Sequence, residues 1–431
     1  MSKRFGWLLG LGVLVAIAFL VACGSYSPSS DGLVIVPSLG SDVVQSFSFN
    51  LSSGHASRIN SNPAIPGPPD QGGPSAIVLD PSGQFAFVTS SHLLNPSTDQ
   101  CTSSSTIATF KINSDGSVSS VGQQTPNKIN TTIPVVPVAL AIDSAGKYLF
   151  VADSATCTLS IVNNVPTPNV VPGAISVFSI GANAALTEVA GSPFTLPGST
   201  VPPPSFVGVA VTRTAFPGPP AACFTQAPPS NEYLYAVDNA GNQVVAFSVS
   251  SGGALGLLPG ATGILSFPTG TRPSAVAVDP CNRFLYVTNN GSNNVSGFAI
   301  CSKIGQFGCV ADDFSLLPAP NSPFSIPGSD PVALAVDPFG HFLFVVGQTT
   351  AQQLSSHKIA QATGSLTQFD TKATGQQPVS IAIRGDGAWL FVTNTLSGTV
   401  SQFGLTPASG VLTPAGEAIT TDNFPYGVAV K

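Results

Sequence analysis

A mostly polar position recurs in seven related segments of the chain, each time directly after a short apolar run. In residues 284–298, FLYVTNNGSNNVSGF, it is Asn289. The equivalent residues of the other segments are Ser38, Ser90, Asp153, Asp238, Gly347 and Asn394. Carboxylate and amide oxygens at one repeated position could bind a polar ligand, hold a divalent cation or activate a water molecule. The Asn-Gly step after Asn289 equally suits a plain hairpin turn, so each copy taken alone favours a structural role.

Other residues that could perform acid–base chemistry are few. The histidines are His55, His92, His341 and His357, and the glutamates are Glu188, Glu232 and Glu417, none of them at the recurring position. His92 falls in a loop, where a solvated side chain is the plain expectation. The sequence has no G-x-S-x-G nucleophile turn, no H-E-x-x-H zinc motif and no D-x-D-x-D-G calcium loop. We therefore expect no cofactor and no metal site.

The elements that position the recurring residues are strands. Segments that align with residues 284–298, some of them with insertions, are 33–47, 85–110, 148–178, 233–247, 342–357 and 389–403. Each except the first follows another apolar run that ends near a turn, and a weaker run opened by Gly comes after it. Alternating β-branched and aromatic residues between such turns predict four antiparallel strands per unit. Seven such units predict an all-β fold, a seven-bladed β-propeller of four-stranded antiparallel blades.

The two ends of the chain fit one blade. The first repeat begins at Asp31-Gly32, where the turn after an innermost strand belongs, and the missing innermost strand is PYGVAVK at residues 425–431. We therefore expect the C-terminal strand to close the first blade. Closure leaves no open sheet edge, the usual hazard of β proteins.

The repeats LYVTNNGSNNVSGF and FVTNTLSGTVSQF resemble the YVTN-type repeat of lactonase-like seven-bladed β-propellers. This family includes relatives of bacterial 6-phosphogluconolactonase and fungal carboxymuconate cyclases, and the resemblance covers about residues 31–431. It implies the propeller fold firmly and an activity only weakly, because one fold hosts many functions. The resemblance also implies His, Glu and Arg near the channel of active members, and this chain lacks His and Glu at the expected positions.

In a propeller the turns from second to third strands share one face with the entries to the innermost strands; we call this the top face. The recurring polar residues are expected to encircle the channel mouth there. Further polar residues directly precede innermost strands: Asp70, Arg272, Asp330, Asp422 and Tyr426. Arg272 is the cation of this set and could meet a carboxylate or a polarised carbonyl, or form a rim ion pair with Asp330. On the opposite, bottom face, the turn acids Asp80, Asp143, Asp279 and Asp337 are expected to cap their own turns.

The composition of the chain argues against one class of function, the binding of nucleic acid. Charged residues make up 8% of the chain, whereas 43 Gly and 39 Pro make it rich in turns. A net charge of −6 on so few ionisable groups offers no basic surface for phosphates. Nucleic acid is therefore not an expected partner.

The N-terminus resembles that of an exported protein. Lys3 and Arg4 precede an apolar run, the arrangement of a secretory signal. The run ends in Ala22-Cys23, similar to the lipobox of bacterial lipoproteins, in which the cysteine becomes the acylated first residue. We expect a signal peptide at residues 1–22, a tether at 23–30 and the propeller at 31–431, with an uncleaved membrane anchor as the alternative. The expected location is the cell envelope, on the outer face or in the periplasm.

Six cysteines remain beside Cys23, and export favours their pairing in an oxidising compartment. The blade register places Cys101 and Cys157 in top-face insertions of the second and third blades. It places Cys223 and Cys281 in bottom-face turns of the fourth and fifth blades. Cys301 and Cys309 flank a short loop in the fifth blade. We expect these three pairs, since crossed pairings such as Cys101 with Cys281 would join opposite faces.

Two functions fit these observations. In the first, a lipid-anchored, monomeric propeller binds a small molecule, glycan or protein at its top face through Asp153, Asp238, Arg272, Asn289, Asp330 and Asn394. In the second, it opens a lactone ring by water attack, with Asp153 or Asp238 as base and Arg272 stabilising the oxyanion. The shortage of His and Glu favours binding, and the family resemblance favours hydrolysis. A phosphosugar lactone is a poor candidate for either, because it would require several cations.

Overall fold

Four-stranded antiparallel sheets follow one another along the chain, and we number these blades 1 to 7. The computed structural model describes residues 31–59, 62–65, 73–91, 105–127, 135–162, 165–197, 202–214, 231–260, 263–264, 266–326, 330–349 and 353–431. Within a blade the strands are called inner, second, third and outer, in the order in which they pair.

The bounds, from inner to outer strand, are as follows for the first four blades. They are Ala429–Val430, Asp31–Ser38, Val43–Asn50 and Ala56–Ile59 in blade 1; Gly73–Leu79, Phe85–Ser91, Thr106–Ile112 and Val118–Gln124 in blade 2; Val136–Ile142, Tyr148–Ser154, Ala174–Ile180 and Leu186–Glu188 in blade 3; and Phe206–Val211, Glu232–Asp238, Gln243–Val249 and Leu255–Leu257 in blade 4.

The remaining blades follow the same order. Their bounds are Pro273–Val278, Phe284–Asn289, Asn294–Ile300 and Leu316–Pro318 in blade 5; Pro331–Val336, Phe342–Gly347, Gln353–Ile359 and Leu366–Ala373 in blade 6; and Pro378–Ile383, Trp389–Asn394, Thr399–Leu405 and Leu412–Pro414 in blade 7. The predicted all-β, seven-bladed fold is confirmed.

Some blades carry additional short elements. In blades 4, 5 and 7 a second segment pairs with the third strand beside a short outer strand: Ser266–Pro268, Phe324–Ser325 and Ile419–Thr420. Prolines such as Pro318 and Pro414 end these outer strands, because proline cannot donate a ladder hydrogen bond. A hairpin of Thr156–Val162 and Val165–Val171 extends from blade 3, and small strands Pro259–Gly260 and Gly263–Ile264 follow blade 4. Within the described residues the helical structure is one 3₁₀ turn, Ala182–Ala184, so none of their helices could span a membrane.

The inner strands form a closed ring. Each contacts the inner strands of the two adjacent blades, and Ala429–Val430 contacts those of blades 7 and 2. Ala429 and Val430 pair with Ile35 and Val34 in antiparallel register. The predicted closure of blade 1 by the C-terminal strand is therefore confirmed.

The core lies between the blades, because successive side chains of a strand point to opposite faces of its sheet. One layer joins blades 3 and 4 through Phe150, Phe206 and Leu234, all fully buried. Between blades 7 and 1, the rings of Phe49 and Phe391 meet edge to face with centroids 4.9 Å apart. Packing of this kind on both faces of each blade fixes the inner strands around the channel.

The bottom-face turns are capped as expected. One carboxylate oxygen of Asp143 accepts hydrogen bonds from the amides of Lys147 and Tyr148, at 2.6 and 2.8 Å. Asp80, Asp279 and Asp337 bind the amides four and five residues ahead in the same way. This repeated cap ties each inner strand to the second strand of its blade.

Each of the three predicted cysteine pairs has at least one member in the described residues. Cys301 and Cys309 form the expected disulfide, with Cα atoms 5.3 Å apart. Cys281 is also disulfide-bonded, and its expected partner, Cys223, lies outside the described residues. Cys157 falls in the hairpin strand Thr156–Val162, as expected for a top-face insertion, and its expected partner Cys101 lies outside the described residues. The pairings Cys223–Cys281 and Cys101–Cys157 stay predictions.

Candidate functional site

The predicted ring of polar residues lies at the top ends of the second strands, but it does not open to the channel. Asp153, Asn289 and Asn394 are 0% exposed and Asp238 is 1% exposed. The expectation that they encircle the mouth as accessible ligands is therefore wrong. The reason is clear in blade 5, where the segment that enters the blade crosses over the end of its second strand. A Cβ atom on Gly270 would lie 2.8 Å from Asn289 Cγ, so only glycine permits this close approach.

Asp238 shows what the buried position does. Its Oδ1 accepts the Ser205 amide at 2.9 Å, and its Oδ2 accepts the Gln243 side chain at 3.0 Å. Ser205 belongs to the segment that enters blade 4, and Gln243 opens its third strand. The carboxylate thus fastens the crossing segment to its own blade.

The two amides are engaged in a similar way. Asn289 Nδ2 donates to Asn294 Oδ1 and Ser296 Oγ at 2.7 and 2.9 Å. Asn394 Nδ2 donates to hydroxyls of the third strand of blade 7. Their Oδ1 atoms are buried and without a partner among the described residues. Buried polar atoms in that situation are usual sites for ordered water.

Asp153 differs from the others in its electrostatics. Its Oδ2 accepts the Ser176 hydroxyl at 2.7 Å, whereas its Oδ1 is buried without a partner in the described structure. Burial raises the pKa of the Asp153 carboxyl to about 8, with Glu188 adding to the rise and Ser176 opposing it. The group is therefore mostly protonated at neutral pH, which makes it a poor base.

Two charged side chains that do reach solvent on the top face belong to residues directly before inner strands. Arg272 and Asp330 are both exposed. Each adopts left-handed backbone, with φ of 51° and 55°, and so do Gln377 and Phe424 at the equivalent positions of the next two blades around the ring. Non-glycine residues seldom adopt this conformation, and least of all before proline, so the surrounding contacts must enforce it.

Those contacts are repeated. The Arg272 amide donates to Asn242 Oδ1 of blade 4 at 2.7 Å, and the Arg272 carbonyl accepts the Asn290 amide at 3.0 Å. Asp330 is held in the same way by Asn293 Oδ1 and the amide of Gln348. The side chains of Arg272 and Asp330 form no hydrogen bond or ion pair with each other or with other described residues. The alternative of a rim ion pair between them is therefore wrong.

The other candidates divide as follows. Asp422 forms a bidentate ion pair with Arg58 at 2.9 and 3.0 Å. Tyr426 is exposed next to the inner strand of blade 1.

Among the described residues, the histidine candidates offer no base at this face. His357 is buried, Ser355 Oγ lies 2.9 Å from its Nε2, and burial lowers its pKa to about 4, as suits a core residue. Asp70 and His92 lie outside the described residues. No group of three or more His, Cys, Asp or Glu side chains that could hold a metal ion occurs in the part of the chain that the structure describes.

Sequence reasoning identified Arg272 and Asp330 but missed how they are held. The sequence did contain a signal for this arrangement, because in several blades an Asn stands in the turn before the crossing segment and the next inner strand opens with proline. Hydrogen bonds between blades join the turn of one blade to the entry of the next inner strand. In blades 4, 6 and 7, for example, Asn239, Gln348 and Thr395 donate to the carbonyls of Pro273, Pro378 and Pro425, which stand at or just before the inner strand of the next blade, at 2.8 to 3.0 Å.

Comparison with known proteins agrees with this geometry at the level of the fold. The family described as lactonase, seven-bladed beta-propeller, matches residues 39–169 and 169–430. A candidate 6-phosphogluconolactonase of Bacteroides fragilis is similar in structure, with a TM-score of 0.65, 18% sequence identity, and coverage of 94% of this chain and 99% of that one. The periplasmic gluconolactonase of Pseudomonas aeruginosa is similar with a TM-score of 0.63, 18% identity, and coverage of 93% and 99%. No functionally curated protein matches the sequence significantly.

Proposed function

The chain belongs to the family of seven-bladed β-propeller lactonases, and from that premise we propose that its top mouth binds a small hydroxylated carboxylic acid or the corresponding lactone. The observation that carries this proposal is Arg272. Its guanidinium is exposed, unpaired among the described residues, and placed at the entry of an inner strand by a strained backbone. Strain that is enforced by repeated contacts is a common mark of ligand-binding positions.

Charge and surface chemistry at the mouth suit such a ligand. A guanidinium can donate two parallel hydrogen bonds to a carboxylate, or one to the carbonyl of a lactone. Asp330 offers carboxylate acceptors to ligand hydroxyls. On the blade 1 side of the top face, Phe424 and Tyr426, 43% and 40% exposed, offer further aromatic surface. A glycan end or a protein carboxylate could present the same groups, and a free acid is the simplest ligand that does.

Binding accounts for the geometry better than hydrolysis does. The two carboxyls that could act as a base, Asp153 and Asp238, are inaccessible, and Asp153 is mostly protonated at neutral pH. A general base must reach the water that it activates. Lactone hydrolysis stays the alternative, favoured by family membership and by the similarity to a gluconolactonase.

The mouth is a poor match for a phosphorylated ligand. Phosphate carries close to two charges and is usually bound by several cations or backbone amides. Among the described residues directly before the inner strands, Arg272 is the cation, and Asp330 carries the opposite charge. We therefore expect gluconate to bind in preference to 6-phosphogluconate.

Calorimetric titration of the purified protein with gluconate, 6-phosphogluconate and glucono-δ-lactone tests the proposal. We expect gluconate to bind, and Arg272→Gln to weaken it at least tenfold. Lys303→Gln, which removes the same charge from a loop of the same blade, should change the affinity less than twofold. Equal binding by the two variants, or no binding of gluconate at 10 mM (about the weakest affinity worth measuring), overturns the proposal.

The same protein, assayed for acid release from glucono-δ-lactone in a pH-stat, addresses the alternative. Release at the spontaneous rate agrees with a binding function. Release well above that rate, lost in Arg272→Gln, would instead establish a lactone hydrolase.

We also propose that the propeller is a lipoprotein of the cell envelope, anchored through Cys23. The support is the sequence alone, since residues 1–30 lie outside the described residues. We further propose that the protein is a monomer.

A further inference from the structure

A second channel mouth, on the bottom face, holds a cavity that the top-face proposal does not use. It has a volume of ≈540 Å³ and lies where the inner strands of blades 2 to 5 end. Eight of its eleven lining residues are apolar, among them Leu79, Val209 and Val278, and the polar groups come from Asp143, Ser144 and Arg213. Volumes of this size accommodate small organic ligands.

Arg213 is the unusual member of this lining. It follows the inner strand of blade 4, its side chain is half-buried, and its guanidinium forms no hydrogen bond or ion pair with any described residue. A buried or half-buried cation normally has a carboxylate partner, because loss of hydration is costly. Because no described residue supplies this partner, we expect an anion from outside the chain.

The backbone of Arg213 is held in place. Asn282, in the bottom-face turn of blade 5, accepts the Arg213 amide at 2.9 Å and donates to the Arg213 carbonyl at 2.8 Å. On the other side, the Thr212 amide donates to the Tyr233 carbonyl at 2.9 Å, and the Tyr233 amide donates to the Thr212 hydroxyl at 2.9 Å. The guanidinium therefore extends from a fixed point, which lowers the entropic cost of binding.

Arg283 provides a comparison within the same face. It lies in the bottom-face turn of blade 5, and its Nε and Nη2 donate to Asp279 Oδ2 at 3.0 and 2.9 Å. Its Nη1 donates to Gln361 at 2.8 Å. Arg283 is thus fully satisfied within the protein, whereas Arg213 is not.

Carboxyl groups lie near Arg213, but none of those in the described residues forms an ion pair with it. Burial raises the pKa of Asp143 above its ordinary value, against the amides of Tyr148 and Lys147. Burial, and then the nearby Asp143, raise the pKa of Glu232 to about 7. Asp279 is within electrostatic reach of Arg213 but is engaged by Arg283.

We propose that this bottom-face cavity is a binding site for a small monocarboxylate with an apolar body. The carboxylate would accept two parallel hydrogen bonds from the Arg213 guanidinium. The apolar body would lie against the inner-strand walls of the channel. Such a ligand differs from the hydroxylated acid proposed for the top mouth, and neither site depends on the other.

The test is calorimetric titration of the full chain at pH 7 with benzoate, and with benzamide as its neutral isostere. We expect benzoate to bind and benzamide to bind at least tenfold more weakly. Arg213→Gln should weaken benzoate at least tenfold, and Arg213→Lys, which keeps the charge but loses the planar fork, should fall between the two. Arg384→Gln, the same substitution in the bottom-face turn of blade 7, where Arg384 pairs with Asp386, should change the affinity less than twofold.

Three results would overturn the proposal: no benzoate binding at 10 mM (about the weakest affinity worth measuring), equal affinity for benzoate and benzamide, or equal affinity in Arg213→Gln and Arg384→Gln. Unfolding of a variant is detected by its melting curve, and Arg213→Lys then carries the comparison. Gluconate binding in Arg213→Gln should be unchanged, which separates this site from the one at the top mouth.

Discussion

Lys431, the last residue of the chain, exchanges backbone hydrogen bonds with Leu33 in both directions, at 2.9 and 3.0 Å. These bonds close blade 1, and so complete the ring, by pairing a residue near the start of the propeller with one at its end. A further hydrogen bond of the same kind joins the Tyr426 amide to the Pro37 carbonyl at 3.0 Å.

Deletion of residues 425–431 should therefore lower the melting temperature and produce association. The second strand of blade 1 would lose its neighbour and present an open edge, and the buried Val428 and Ala429 would be lost. Scanning calorimetry and size-exclusion chromatography measure both effects. Lys431→Ala, which keeps the backbone bonds, should behave like the unmodified protein. A monomeric truncated chain with an unchanged melting temperature would contradict this role of the C-terminal strand.

Asp153→Asn should flatten the dependence of stability on pH. The pKa of Asp153 is raised to about 8, so the folded chain holds this proton more tightly than the unfolded chain. Its contribution to stability is therefore complete below its ordinary pKa near 4 and is lost as pH rises toward 8. Above pH 8 the variant should be more stable by on the order of 2–4 kcal/mol.

Denaturant unfolding between pH 5 and 9 measures this difference. Asp115→Asn is the control, because hydrogen bonds from Ser117 lower the pKa of Asp115, out of that pH range. If wild type and Asp153→Asn lose stability in parallel, the carboxyl is not protonated in the fold.

Arg272→Gly should raise stability while it weakens ligand binding at the top mouth. Glycine adopts φ of 51° without the steric penalty that arginine incurs, a gain of about 1 kcal/mol. Thr271→Gly, next to it and not in left-handed backbone, should instead lower stability. Urea unfolding of the two variants makes the comparison, and a destabilised Arg272→Gly would show that the arginine side chain supports the fold.

The disulfides can be mapped by digestion without reduction. We expect three linked peptide pairs: Cys101 with Cys157, Cys223 with Cys281, and Cys301 with Cys309. A peptide joining Cys101 or Cys157 to any of the other four would contradict the blade register. Loss of the Cys301–Cys309 bond in a double Ser variant should cost about 2 kcal/mol, because the closed loop is short.

Acylation at Cys23 can be read from the mass of the mature N-terminus. We expect a chain that begins at Cys23, carries a diacylglyceryl group and partitions into detergent. Cys23→Ser should release the protein or halt its processing. A mature protein that still begins at Met1 would exclude the lipoprotein interpretation.

Much of the fold could be predicted from the sequence because its information is local and repeated. The strands Phe284–Asn289 and Trp389–Asn394 follow from alternating apolar residues between turn residues, and seven copies reinforce one another. The closing strand followed from counting inner strands.

The site was less predictable because exposure and pairing depend on distant segments. Asn289 is buried by Gly270, which belongs to the segment that crosses from blade 4. Arg283 finds Asp279 within its own turn, four residues earlier, whereas Arg213 has no such partner and is held through its backbone by Asn282. The Arg283–Asp279 pair is local and follows from the turn, whereas the lack of a partner for Arg213 among the described residues depends on which distant segments pack around it.

The pairing of Leu33 with Lys431 also bears on how the propeller would be oriented relative to a membrane. The second strand of blade 1 starts at Asp31 on the bottom face. In the proposed lipoprotein, a tether of residues 23–30 would therefore join the ring on that side. Eight residues reach at most about 28 Å. With Cys23 in a membrane, the Arg213 cavity would face the lipid surface at short range, while Arg272 would face the surrounding water. The two mouths would then sample different sources of acids, one released from or dissolved in the bilayer and the other diffusing freely.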